Sequence, residues 1–241
     1  MRKIVATIAT AISVIGISTA NAAEKPIYVL SSNSAAIVSE IGTAGDQLGN
    51  WIIPGTPDGM GAFKNSDGTI TILSNHEWAL YDAIPQSLAK STGTYGSSIS
   101  KLIFDPKTSK ITSGENLIKR ISYYNYTTGK WQDDYTGTAP TNSPADGNFT
   151  YSPTSISAIF KNGLNRFCSS SLVQAGGLKS GSVGYSGAVY LTGEEGSGDY
   201  SRAFAFDMDG NGVQLPAMGL LQFENLLVAR SEEHTSELQS Q

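Results

Sequence analysis

Short runs of β-branched and aromatic residues recur along this chain, each close to a turn signal, and no stretch keeps a long helical period. The clearest runs are "PIYVL" (26–30), "TITIL" (69–73) and "GAVYL" (187–191), and such runs are typical of strands. Residues 97–114 and 202–216 each read as a hairpin, because turn residues separate two strand-like runs. The sequence therefore predicts a mainly β fold of many short strands, which suggests a sandwich, a barrel or a propeller.

A weak similarity between two segments of the chain favours the propeller. Residues 67–78, "DGTITILSNHEW", and 186–197, "SGAVYLTGEEGS", both run from a turn through an apolar strand to an acidic group. In a propeller, successive blades direct such polar residues towards a shared axial opening. Two copies fall short of the three units expected of a repeat, and two strands that end in exposed carboxylates would look the same. We predict an incomplete β-propeller of short antiparallel strands, truncated at its C-terminus.

The N-terminus predicts export. Basic residues Arg2 and Lys3 precede an apolar stretch at 4–17, and residues 20–22, "ANA", fit a signal-peptidase site. The apolar stretch is shorter than the roughly 20 residues that span a bilayer. We therefore interpret residues 1–22 as a Sec-like signal peptide and expect a periplasmic or secreted protein.

The C-terminus carries a foreign string. Residues 230–240, "RSEEHTSELQS", reproduce the in-frame translation of a sequencing adapter. We interpret 230–241 as an adapter-derived artefact and exclude it from the fold. Residues 23–229 then form the N-terminal part of a domain that we expect to continue beyond Ala229.

Charge narrows the classes of partner. The chain has 16 basic and 21 acidic residues, a net charge of −5, and no run of Lys or Arg. This balance argues against nucleic acid and against an anionic membrane surface as partners. The chain has 2 histidines, one of them in the excluded tail. Only His76 remains, which excludes most His-rich zinc sites.

Acidic residues at strand ends are the candidate site residues. "SNHEW" (74–78) sets His76 and Glu77 at a strand end, where imidazole and carboxylate serve as ligands or as acid and base; a solvated strand end is the alternative. Glu194 and Glu195 follow another strand. Adjacent strand residues point to opposite faces, so only one enters a given site unless the flanking glycines bend the backbone. Glu224, in "QFENL", is a further candidate, since it again places a carboxylate next to an amide.

Two acidic turns carry less information. "DMDGNG" (207–212) matches the first half of an EF-hand loop, but position 12 falls on Met218 instead of the required Glu. We interpret this segment as a hairpin turn. "GTPDGMG" (55–61) holds one carboxylate, Asp58, and predicts only a turn.

Cys168, in "RFCSSSL" (166–172), is the one cysteine of the chain. A lone thiol is most often a small buried apolar group, and it can also pair with a cysteine elsewhere. A third interpretation is a thiolate ligand for a soft metal such as iron or copper. The residues alone leave these alternatives open.

Five motifs in order resemble those of PhoX-type alkaline phosphatases and their uncharacterised secreted relatives. They are "TPDGMGAF", "LSNHEW", "RFCSSSL", "VYLTGEEGSGDYSRAFAF" and "LPAMGLLQFEN", and the resemblance covers roughly residues 55–225. It implies a β-propeller whose active site is a cluster of iron and calcium held by one cysteine and several carboxylates. The implied reaction is metal-assisted hydrolysis of a small-molecule phosphate ester.

The resemblance also implies roles for residues. Cys168 becomes the iron ligand, Glu194 or Glu195 a metal carboxylate, and Glu77 and Glu224 further candidates for the same shell. His76 would orient a ligand or a phosphate oxygen, and Arg202 would contact phosphate. Because further ligands are expected beyond residue 229, we predict no phosphatase activity for residues 23–229. The alternative is a non-catalytic secreted propeller that binds calcium or another ligand and does not need Cys168.

Overall fold

The structure is a computed structural model, and it describes residues 31–79, 96–125, 129–132, 164–196 and 201–229. The predicted signal peptide, the strand-like run at 26–30 and the tail at 230–241 lie outside these residues. Within the described part of the chain, no helix is both long and apolar enough to cross a membrane.

The described residues are mainly β, which confirms the predicted class. The strands are β1 (Gln47–Leu48), β2 (Trp51–Ile52), β3 (Pro57–Lys64), β4 (Ile70–His76), β5 (Ser98–Asp105), β6 (Lys110–Asn116), β7 (Arg120–Asn125), β8 (Lys130–Gln132), β9 (Phe167–Val173), β10 (Leu178–Ser180), β11 (Val183–Tyr185), β12 (Val189–Glu194), β13 (Ala203–Asp207) and β14 (Asn211–Gln214). A short 3₁₀ turn follows at Pro216–Met218.

Strands β3 to β6 form a four-stranded antiparallel sheet in chain order. The hairpin between β5 and β6 turns just after Asp105, as the sequence predicts, and the Asp105 carboxylate accepts the Lys107 N–H at 2.9 Å. The pairing of β3 with β4 is irregular between Pro57 and Met60. This irregularity lies at the end of β3 that carries Asp58.

The other large sheet has six strands in the order β8-β7-β14-β13-β12-β9, with β14 and β7 parallel and all other neighbours antiparallel. The hairpin of β13 and β14 confirms the hairpin interpretation of 207–212. The Asp207 carboxylate accepts the N–H groups of Asp209 and Asn211 at 3.0 and 2.8 Å. Gly210 takes φ 91° at the turn, a conformation that suits glycine.

The main core lies between these two sheets. Its buried side chains are Leu73, Ile99, Leu117, Ile118, Ile121, Tyr123, Leu164, Phe167, Tyr190, Phe204 and Phe206. Strand β3 approaches β9 so closely that a Cβ on Gly59 would lie 2.4 Å from the Ser170 nitrogen, and a Cβ on Gly61 would lie 2.6 Å from Leu172 Cβ. Glycine is therefore required where the sheets meet. Neither sheet closes on itself within the described residues, and the propeller stays a prediction.

Candidate metal centre

Three acidic groups converge where the two sheets meet. One ligand atom each from Asp58, Glu77 and Cys168 lies within 4.8 Å of the others. Glu195 joins them, because the Cys168 thiol donates a hydrogen bond to Glu195 Oε2 at 2.6 Å. We call these four residues the thiol–carboxylate cluster.

Each sheet supplies two members of the cluster. Asp58 lies in the irregular stretch of β3, and Glu77 directly follows β4, its antiparallel partner. Cys168 lies near the start of β9, and Glu195 directly follows β12, which pairs with β9. Antiparallel pairing brings one end of each strand pair together, and the glycine contact between β3 and β9 sets the two pairs side by side.

Glu194 and Glu195 point to opposite sides, as alternation along a strand predicts. Glu194 is 2% exposed, and its carboxylate accepts hydrogen bonds from Arg202 Nε and Nη2, both at 2.7 Å. It also accepts the backbone N–H groups of Arg202 and Asn165 at 3.0 and 2.9 Å. Both oxygens are therefore occupied on the side away from Cys168.

Arg202 belongs to the core and not to the cluster. Its guanidinium lies 5.2 Å from the Tyr123 ring centroid and 5.3 Å from that of Phe204, and its charge is paired with Glu194. A buried, bidentate pair of this kind holds the end of β12 against β13. The phosphate contact that the resemblance implies for Arg202 would require this pair to open.

His76 is buried behind Glu77. Its Nδ1 lies 2.8 Å from the Gly55 carbonyl oxygen and its Nε2 lies 2.7 Å from Ser100 Oγ. A carbonyl oxygen only accepts, so Nδ1 carries the proton and Nε2 accepts from the serine hydroxyl. Burial lowers the pKa of His76 to about 4, and the Gly55 hydrogen bond opposes this shift in part. His76 is neutral at pH 7, with both nitrogens occupied.

Glu224 lies at the border of the cluster. The segment that carries it packs on β12, where the Phe223 N–H donates to the Glu194 carbonyl at 3.1 Å. The Glu224 carboxylate is exposed and accepts a hydrogen bond from Ser169 Oγ at 3.3 Å. Its contact is therefore with Ser169, the residue that directly follows Cys168 in the chain.

Arg166 is a cluster contact that the sequence did not single out. Its Nε donates to Glu77 Oε1 at 2.8 Å, its Nη2 contacts the same oxygen, and Nη2 lies 3.9 Å from Glu195 Oε2. Its backbone N–H donates to Trp78 O, and its carbonyl accepts the Glu195 N–H, both at 2.9 Å. Arg166 thus connects the ends of β4 and β12, with its side chain 48% exposed.

Asp58 and Arg166 left only faint signals in the sequence. Arg166 precedes Cys168 by two residues, a spacing that puts two side chains on one side only where the chain is extended, and Arg166 has φ 46°. Asp58 lies in a Gly-rich segment for which the sequence predicts a turn; this prediction is wrong, because the structure has strand β3 from Pro57. The irregular pairing of β3 at this point places the carboxylate of Asp58 near Cys168.

Burial, together with the neighbouring acidic groups, raises the pKa of Cys168 and of Asp58 in the cluster. Burial raises the pKa of the Cys168 thiol, and the hydrogen bond with Glu195 and the charges of Glu77 and Glu195 add to it. Partial loss of hydration raises the pKa of Asp58, followed by the charges of Glu77 and Glu195. The hydrogen bond with Glu77 raises the pKa of Arg166. A further cation would stabilise all of the ionised acids.

The donor set fits the metals that the resemblance implies. A thiolate suits iron, and carboxylate oxygens suit both iron and calcium. Residues of two different sheets supply these atoms, and Asp58 among them is exposed.

A separate apolar pocket lies towards the opposite end of β12. It has a volume of about 400 Å³, and its lining includes Leu178, Tyr185, Val189, Ala205 and Val213, with Arg120 and Asp207 among its polar residues. It shares no residue with the thiol–carboxylate cluster.

The comparisons with known proteins add no relative. No protein-family model, no curated protein and no solved structure matches this chain.

Proposed function

We propose that this chain is part of a metal-dependent phosphomonoester hydrolase of the PhoX type that acts in the periplasm or outside the cell. The observation that carries the proposal is the thiol–carboxylate cluster, in which the one cysteine of the chain lies within reach of carboxylates from both sheets. The order of the five sequence motifs supports the same function, and the N-terminal sequence supports the location.

The residues of the cluster have distinct roles in this proposal. Cys168 holds iron through its thiolate, and Asp58, Glu77 and Glu195 supply carboxylate oxygens to iron and calcium. When bound, the metals supply positive charge that neutralises the phosphoryl oxygens. Arg166 fixes Glu77 and adds a cation beside the place where a phosphate ester would bind.

The fold is compatible with a propeller. Strands β3 to β6 form one run of four antiparallel strands, and β9, β12, β13 and β14 form another. The two runs meet along β3 and β9, as the innermost strands of neighbouring blades would. These two runs support an incomplete propeller as the proposed architecture.

Metal analysis of the purified full chain, folded in the presence of iron and calcium, tests the function. We expect tightly bound iron in the wild type and its loss in Cys168→Ala, with iron retained in the control Ser171→Ala, which alters the same strand. Bound calcium alone, unchanged by Cys168→Ala, would refute the phosphatase proposal. Metal content is a better first test than turnover, since the resemblance implies further ligands beyond residue 229.

The apolar pocket favours one alternative, a non-catalytic secreted protein that binds an apolar small molecule. Its volume lies in the range of ligand sites. An anionic aromatic dye, anilinonaphthalene sulfonate, would then bind the wild type, and Ala205→Trp, which fills the pocket, would abolish binding. Dye binding unaffected by Ala205→Trp would contradict this alternative.

A further inference from the structure

A buried network of hydrogen bonds lies directly behind the thiol–carboxylate cluster. Asn75, Tyr190 and Thr192 are each 0% exposed. The Tyr190 hydroxyl shares its one proton between two acceptors, the Gly59 carbonyl oxygen at 2.8 Å and Asn75 Oδ1 at 3.1 Å. The Asn75 amide donates to the Cys168 carbonyl at 2.7 Å and to Thr192 Oγ1 at 2.9 Å.

These bonds connect the backbone of Cys168 with that of Gly59, the neighbour of Asp58. Gly59 directly follows Asp58, so the chain of hydrogen bonds runs from the strand of Asp58, through Tyr190 and Asn75, to Cys168 itself. It joins β3 of one sheet to β9 of the other, at the point where Gly59 allows the strands to approach. Ser170 Oγ also donates to the Tyr190 oxygen at 2.7 Å, so the phenol is both donor and acceptor.

The packing of the core does not by itself require the polar atoms of this network. Tyr190 lies in the main core among phenylalanines and leucines, where a phenylalanine would fill nearly the same space. Buried polar groups lower stability unless they are all paired, and a fully paired network holds its members in one arrangement. The network therefore defines the separation of two backbones, which is the property that a shared metal site needs.

We propose that Tyr190 and Asn75 are positioning residues that set the separation of Asp58 and Cys168. The proposal rests on the proposed metal-binding function. Neither side chain is a ligand in it: each acts through a backbone carbonyl, as residues behind the ligands of a metal site commonly do.

The chain offers a matched control for a structural effect. Thr192→Val removes the hydroxyl that accepts from Asn75, with little change in shape. Thr71→Val makes the same change at a buried threonine near the other end of β4, where Oγ1 donates to Asn65 Oδ1 at 3.1 Å. A general loss of stability would affect both variants, whereas a loss of positioning would affect only the first.

The experiment is a titration of the metal-free full chain with Co²⁺, followed by the thiolate-to-cobalt absorption band. We expect Tyr190→Phe and Thr192→Val to weaken Co²⁺ binding by about tenfold or more, and Thr71→Val to stay within about twofold of the wild type. Thermal unfolding shows that each variant is folded. If Tyr190→Phe does not fold, Thr192→Val carries the comparison.

The outcomes separate the two proposals. Suppose that the wild type binds Co²⁺ through Cys168 and that Tyr190→Phe and Thr192→Val bind it as tightly as Thr71→Val does. This result overturns the positioning role alone. A wild type without the thiolate band overturns the metal-binding function. In that case alkylation of Cys168 by iodoacetamide decides the positioning role: faster reaction in Tyr190→Phe than in Thr71→Val supports it, and equal rates overturn it.

Discussion

The thiol of Cys168 lies 2.6 Å from Oε2 of Glu195, a residue 27 positions further along the chain. The contact joins the starting end of β9 to the finishing end of β12, which antiparallel pairing places side by side. Because the pKa of Cys168 is raised, the thiol keeps its proton at neutral pH when no metal is present. A metal ion would have to replace that proton.

Glu195→Gln should make Cys168 more reactive. The substitution removes a negative charge next to the sulfur, which lowers the pKa of the thiol and increases the thiolate fraction at pH 8. We expect iodoacetamide to alkylate Cys168 several-fold faster than in the wild type. Glu115→Gln, on the distant strand β6, serves as the control. An alkylation rate in Glu195→Gln at or below that of the control would contradict the effect of the Glu195 charge.

Arg202→Met should destabilise the fold strongly. It leaves the Glu194 carboxylate buried without its cation, and breaking such a pair costs about 3–5 kcal/mol. The comparison is Lys101→Met, which breaks an ion pair with the half-exposed Glu115 at 3.6 Å and a hydrogen bond to the Met208 carbonyl at 3.2 Å. Ion pairs with an exposed partner contribute about 0–1 kcal/mol, and a hydrogen bond contributes about 0.5–1.5 kcal/mol. Urea unfolding measures both variants, and similar losses in the two would refute a stabilising role for the Arg202–Glu194 pair.

Arg166→Gly should be more stable than Arg166→Ala. Arg166 has φ 46°, in the left-handed region that costs a residue with a Cβ about 1–2 kcal/mol. Both variants lose the contact with Glu77, but only glycine removes the strain. We expect a difference of about 1 kcal/mol in unfolding free energy, opposite in sign to the usual ranking of glycine below alanine. Equal stability, or a more stable alanine variant, would show that the backbone at 166 is not strained.

Acid should destabilise the fold through His76. Its pKa falls from 6.5 in the unfolded chain to about 4 when folded. The unfolded state therefore binds the proton first as the pH falls. Stability from this group is complete above about pH 6.5 and is lost progressively towards pH 4, by about 3 kcal/mol, since one pKa unit is worth about 1.4 kcal/mol.

The pH dependence of urea unfolding checks this expectation. His76→Asn should flatten the stability curve between pH 6.5 and pH 4 relative to the wild type, whatever its effect at pH 7. If stability falls with pH as steeply in His76→Asn as in the wild type, groups other than His76 cause the loss of stability in acid.

Gly59→Ala should separate the two sheets. A Cβ at this position would lie 2.4 Å from the Ser170 nitrogen, and forced overpacking costs about 1–3 kcal/mol. Gly55→Ala is the matched control, because no atom lies within 4 Å of a Cβ at Gly55. Thermal unfolding compares the two, and an unaffected Gly59→Ala would mean that β3 can withdraw from β9 at little cost.

Local patterns predicted the strands better than they predicted the site. The hairpins at Asp105 and at 207–212 follow from alternating apolar residues and from turn residues close in sequence, so they were foreseen. The sequence also named Cys168, Glu77 and Glu195 as candidates. It could not decide between Glu194 and Glu195, because the choice depends on an irregular pairing between β12 and β9 near Thr192.

The remaining features of the site depend on contacts between distant segments. Asp58 reaches Cys168 only because β3 pairs irregularly and packs on β9 through glycine. Arg166 reaches Glu77, 89 positions away, from a backbone conformation that its residue type does not favour. His76 is a candidate because it shares a strand end with Glu77, and Arg202 because the resemblance implies a phosphate contact. The fold gives each of them buried partners, Gly55 and Ser100 for His76 and Glu194 for Arg202. Burial and pairing of this kind are properties of the assembled core, which no short pattern encodes.

The division of the cluster between two sheets fixes an order of events. Neither sheet alone carries a full set of ligands, so a tight site exists only after β3 and β9 have docked, and metal binding then favours the docked state. The Sec-like N-terminus predicts a chain that crosses the membrane unfolded. The cluster residues, from Asp58 to Glu195, would then be spread along about 140 residues of unfolded chain, and no metal would be bound during export. Under the proposed function, such a protein binds its metal only after export. The metal available in that compartment then limits how much of the protein reaches the metal-bound form.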